Sequence, residues 1–164
     1  MKLLVTKPAD FFAEAEPAAS YKPMLLFVVP PVLIFSAGTA VLSRSWLNLA
    51  TSLALASICL ALWTAALKFG VLIFGEKRSW VEALQISACA SLPVALGWIP
   101  YVGLPAAAVG TGYLSYLGLV HHFKMNQGAA MAAVSLPVVI CGLGGTVLSF
   151  LLLALASIST MFSH

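Results

Sequence analysis

Charge is the scarcest ingredient of this sequence. Eight lysines and arginines and five carboxylates make up 8% of its 164 residues, against 62% hydrophobic, whereas soluble domains carry roughly a quarter charged residues. With a mean hydropathy of +1.05, a single water-soluble domain of this length could not hide its apolar surface. The carboxylates, Asp10, Glu14, Glu16, Glu76 and Glu82, all lie in segments expected at or outside one membrane face, and none follows Glu82. No two of them can therefore share a proton in a dry core, which excludes aspartyl-type acid–base chemistry there. A serine elbow and an H-E-x-x-H zinc helix are also missing. Cys59, Cys89 and Cys141 each stand alone in an apolar run, without C-x-x-C spacing; they read as small packing residues and predict no disulfide. A net charge of +3 is too small and too dispersed to bind nucleic acid. The first residues lack the apolar core of a secretory signal, so the start of the chain is expected to be retained. Neither catalytic residues nor a cofactor are expected, and the reading is of a non-enzymatic protein.

What the sequence has in abundance is uncharged apolar stretches of helix length. Residues 24–42 would reach about 28 Å as a helix, enough for a hydrocarbon core of roughly 30 Å. Pro30 and Pro31 fall near the middle of that run and should kink it unless neighbours satisfy the carbonyls they free. The next run, 46–74, exceeds a bilayer and must tilt or project. Lys68 is its one charge, expected to snorkel to the headgroups, with a pathway or lipid contact as the functional option. Further spans are read at 80–98, 104–120 and 129–160, the last containing Pro137 and the Gly142, Gly144, Gly145 cluster. The fold class is thus all-α: a polytopic bundle of five transmembrane helices over residues 23–164. A cytosolic or interfacial segment, 1–22, precedes it. Within that segment 8–15 reads as a short interfacial helix whose Phe11 and Phe12 dip into lipid.

The stretch 75–95, GEKRSWVEALQISACASLPVA, organises the rest. Ser79 and Glu82 have the spacing of a capping box and start a helix near Trp80. Along it Ala83, Ser87, Ser91 and Ala95 recur every fourth residue, a ribbon of small side chains that lets another backbone approach. Ala107, Thr111 and Ser115 form a second seam, expected against the third helix, and Gly142 and Gly145 a further face. Five spans place Lys2, Lys7, Lys22, Lys77, Arg78 and Lys124 on the N-terminal side and Arg44 on the other. The positive-inside rule then puts the N-terminus in the cytoplasm and the C-terminus on the opposite side. His121 and His122 are weak metal candidates. Adjacent helix positions point about 100° apart and cannot grip one ion together, and His164 is expected across the membrane; a ligand shared with another subunit stays open. Favourable placement at a helix C-terminus is the plainer role for the pair.

Three segments also resemble a known family. P-x-D-F-F at Pro8 to Phe12, the charged turn GEKRSWVEAL followed by ISACASLP, and LVHHFKMNQGAAMAAVSLPVVI together resemble the Ypt/Rab-interacting, or YIP, membrane proteins in their short prokaryotic form. The resemblance covers nearly the whole chain. It implies a five-helix bundle with a cytosolic N-terminus, here in a bacterial inner membrane. Eukaryotic members of the family look like adaptors for prenylated small GTPases, working through a longer N-terminal region. With only residues 1–22 before the first span, GTPase binding is not expected of this chain. The expected partners are membrane lipids and other membrane subunits or a second copy, in an accessory, scaffolding or membrane-organising role. The alternative is a small transporter or channel.

Overall fold

A computed structural model describes residues 6–16 and 22–140. Among these residues there are helices and turns and no strand: α1 (Pro8–Glu14), α2 (Lys22–Ser43), α3 (Trp46–Ile73), α4 (Trp80–Ala90), α5 (Gly103–Leu117) and α6 (Gln127–Ile140). A 3₁₀ segment, Leu92–Leu96, prolongs α4, and a π-helical turn, Gly118–His122, prolongs α5. Three segments are long and apolar enough to cross a membrane: Lys22–Ser43, Trp46–Ile73 and Gly103–His122. Trp80–Leu96 and Gln127–Ile140 are apolar but shorter. The remainder of the last apolar run, with Gly142 and Gly145, lies outside the described residues.

The helix boundaries have local causes. Ser79 Oγ accepts from the Glu82 amide at 3.1 Å and Glu82 Oε2 accepts from the Ser79 amide at 2.7 Å, so the capping box forms. The span expected over 80–98 does not stay α-helical. Pro93 has no amide proton to continue the ladder, and the Ser91 hydroxyl donates to the Ala88 carbonyl at 2.7 Å, so the chain tightens into the 3₁₀ segment. The last helix starts at Gln127 rather than 129, because Asn126 Oδ1 accepts from the Gly128 amide at 3.0 Å and caps it.

Pro30 and Pro31 lie inside α2, which continues through them. Pro31 frees the Phe27 carbonyl, one turn earlier, and Ser91 Oγ lies 3.2 Å from that oxygen. A hydroxyl has one proton, so it is shared between Phe27 O and the nearer Ala88 O. A serine read from the sequence as merely small thus joins α4 to α2 at the position where α2 lost its own bond.

The core gathers at one end. Trp63, Leu67 and Val71 of α3 meet Ile86 of α4, Leu119 and Phe123 after α5, and Ala130 and Ala133 of α6. Gly70 makes the α3–α6 contact possible: a Cβ there would stand 2.8 Å from the Ala133 carbonyl oxygen, backbone that cannot swing aside. At the other end Thr39 Oγ1 lies 3.1 Å from Ser52 Oγ, sharing its one proton between that oxygen and the nearer Ser36 carbonyl, and so sets the register of the α2–α3 hairpin around the Arg44 turn.

Two expectations need correction here. α1 forms, but it does not lay its phenylalanines in lipid: Phe12 is 2% exposed and packs on Cys89 and Leu117. Gly118 leaves the space, for a Cβ there would meet Ile86 at 2.7 Å and the Phe12 ring at 3.3 Å. Phe11 sets its ring 6.1 Å from that of Phe27, so α1 is stapled to the bundle through both rings. The stem of Lys68, expected to run over the outer surface, is enclosed by protein instead, the residue being 6% exposed.

Candidate functional site

The described polar side chains cluster most densely where α1, the turn before α4 and the turn after α5 converge. Arg78 organises the cluster. One of its terminal nitrogens donates to the Phe123 carbonyl at 3.1 Å, and its guanidinium lies 5.0 Å from the centre of the Phe123 ring, a cation–π geometry. The same group pairs with Glu76 at 3.5 Å and, at the 4.0 Å limit, with Glu82, whose other oxygen closes the capping box. Arg78 Nε makes no hydrogen bond despite its nearness to Glu76, so that pair is one of charge alone. Arg78 therefore joins the two charged turns, 75–79 and 123–126, that the sequence separates by more than 40 residues.

α1 closes the same end. Gln85 Nε2 donates to the Glu16 carbonyl at 2.9 Å, and the His122 imidazole faces the Ala15 and Phe12 backbone with Glu82 nearby. His121 and His122 fall in the π-helical turn, a distortion that often accompanies function. Among the described residues no three His, Cys, Asp or Glu side chains come together to hold a metal.

Nearer the opposite end, a cleft of about 300 Å³ opens between α2, α3, the 3₁₀ segment and α5. Its walls include Val32, Phe35, Leu60, Trp63, Val94 and Leu104, with Cys59, Ser91 and Thr111 as the polar-capable members. Thr111 Oγ1 is buried without a partner there. Walls of this kind admit hydrocarbon and offer an ion no replacement for its hydration shell.

The family model described as Yip1 domain matches residues 1–149. The chain belongs to the Yip1 domain family. It is a membrane protein. No curated protein and no solved structure matches it.

In this Yip1 domain the small-residue ribbon is enclosed. Ala83, Ser87 and Ser91 are buried and Ala95 half-buried, so the ribbon is occupied within one chain. On α5, Ala107 and Thr111 line the cleft, and Ser115 accepts from Trp63 Nε1 at 3.1 Å, so this seam faces α3 as well as α4. Glycines also bring this part of the chain close to the 80–98 segment, Gly118 against Ile86, Gly110 against Pro93 and Gly103 against the Leu96 carbonyl. Arg78 and Phe123 were missed as partners in the sequence because no local pattern links them. A charged turn and an aromatic at a helix end are individually ordinary, and only the tertiary fold sets one against the other.

Proposed function

We propose that this Yip1 domain is a non-enzymatic polytopic membrane protein of five spans, with its N-terminus cytoplasmic and its C-terminus opposite, in a bacterial inner membrane. In this reading it works by helix packing, as an accessory or scaffold subunit or as an organiser of lipid. One observation carries the reading: the apolar sides of α2 and α3 are left outward-facing, with Leu26 70%, Val41 76% and Trp46 85% exposed. Such a surface is satisfied by lipid or by another helix. Lys7, Lys22, Lys77, Arg78 and Lys124 belong to segments at one end, whereas Arg44 lies in the turn at the far end of α2, which supports the orientation.

The test addresses that outer surface, since leucine at Ser87 or Ser91 would break the fold before it reached a partner. After mild solubilisation, co-purifying chains and lipids are identified for the parent protein and for Leu26→Ser with Val41→Ser. A bound subunit or lipid lost in the double variant, with the thermal midpoint kept, is the expected result; a lone monodisperse monomer free of lipid sinks the reading. A second reading, a small transporter, has the cleft behind it. Solute flux into sealed vesicles that disappears on Ala108→Phe, a substitution in the wall of the cleft, would favour it.

A further inference from the structure

Lys68 is the buried charge that the packing leaves unexplained. Enclosing an ammonium is costly unless an opposite charge or a set of acceptors replaces its water. Among the described residues the carboxylates in ion pairs are Asp10, with Lys7, and Glu76 and Glu82, both with Arg78. Among the described residues Lys68 takes part in none of these pairs and has no hydrogen-bond acceptor. It is not sealed, however. Its residual 6% exposure leaves the side chain short of complete enclosure.

Its depth follows from the hairpin register. Thr39 and Ser52 are bonded across α2 and α3, and sixteen residues from that bond along each helix lie Pro23 and Lys68. Lys68 is thus about level with the start of α2, five residues before α3 ends at Ile73, roughly 7.5 Å along the axis. In a membrane this is headgroup depth at the basic end of the bundle. The ammonium is a compact point charge on a long stem, suited to a phosphate oxygen.

We propose that Lys68 marks a phosphate-binding site, in which a phosphate group supplies the negative charge that the described residues withhold. The group comes either from an anionic lipid of the surrounding leaflet or from a free phosphate. This rests on the membrane orientation proposed above.

The full-length protein, delipidated in mild detergent, is titrated with phosphatidylglycerol, with phosphatidylcholine and with inorganic phosphate while thermal unfolding is followed. Phosphatidylglycerol should raise the midpoint by roughly 5 °C at saturation, and phosphatidylcholine by less than half as much. The response should vanish in Lys68→Met and persist in Lys77→Ala, an exposed lysine. Inorganic phosphate reproducing the full shift assigns the site to a free anion; phosphatidylglycerol acting alone assigns it to lipid. An unchanged response in Lys68→Met overturns the proposal. Should that variant not fold, native mass spectrometry of the parent protein decides: binding phosphatidylglycerol no better than phosphatidylcholine and showing no phosphate adduct overturns the site equally. Orientation is read separately, by impermeant maleimide on intact cells carrying Arg44→Cys or Lys77→Cys, in a background where Cys59, Cys89 and Cys141 are alanine. Labelling of the first alone, with no phosphate response, sinks the site and leaves the orientation standing.

Discussion

The two ends of the bundle solve the same apolar composition in opposite ways. At the Arg78 end, the last part of α3 buries Trp63, Leu67 and Val71 against α4, α6 and the turn after α5, and α1 is docked by Phe12. Across the hairpin at the other end, α3 buries no residue between Trp46 and Leu62, and Val41, Trp46 and Leu47 face outward. The difference is that small residues, Ala83, Ser87, Ala130 and Ala133, together with Gly70 and Gly118, let backbones close up at one end. At the other, α2 still closes on Trp98 at Gly38, but the bulky side chains of Val41, Trp46 and Leu47 turn outward and meet whatever surrounds the protein.

Substitutions can break or sharpen that contrast. Phe12→Ala empties the socket between α4 and α5 and should cost about 3–5 kcal/mol, lowering the thermal midpoint in detergent by roughly 6–20 °C; a drop below about 2 °C would mean α1 is not part of the packed end. Ser91→Ala removes the hydroxyl that serves the Phe27 and Ala88 carbonyls and should cost about 1 kcal/mol. Ser91→Thr, which keeps the hydroxyl, adds a methyl to a closed site and should be worse, not better, if the site is as tight as its 1% exposure indicates. The smallest effect is expected from Val41→Ala on the outer face, within about 0.5 kcal/mol; a loss above 2 kcal/mol for this 76% exposed residue would show that a partner helix already covers the hairpin in the purified protein.

Much of the packed end was legible before any coordinates. The Ser79–Glu82 capping box is a local pattern whose two bonds close within four residues, so spacing alone specified it. The helix pattern of the apolar runs was readable for the same reason. Less legible was the depth at which each charged residue would come to rest. Lys68 lies near the end of a helix, and its sequence neighbourhood suits snorkelling; that α3 turns this face inward depends on where α4 and α6 pack. Phe11 and Phe12 on a seven-residue helix announce an apolar face without saying whether lipid or protein will cover it. The Pro31 defect was visible, and so was the need for a donor to mend it. The donor itself, Ser91, lies 64 residues beyond the carbonyl it serves, and no periodicity reaches that far.

By itself the sequence determined that this is a membrane chain built on long apolar helices, because hydropathy and capping act over a few residues and need no partner. Only the tertiary structure decided which small residues close against which backbone, that Arg78 would join two distant turns through Phe123, and that Lys68 would be enclosed without a counter-charge among the described residues. Those outcomes depend on contacts between segments far apart in the chain. Several pairings of equally apolar helices satisfy the same local rules, and the close fit of glycine, alanine and serine surfaces selects among them.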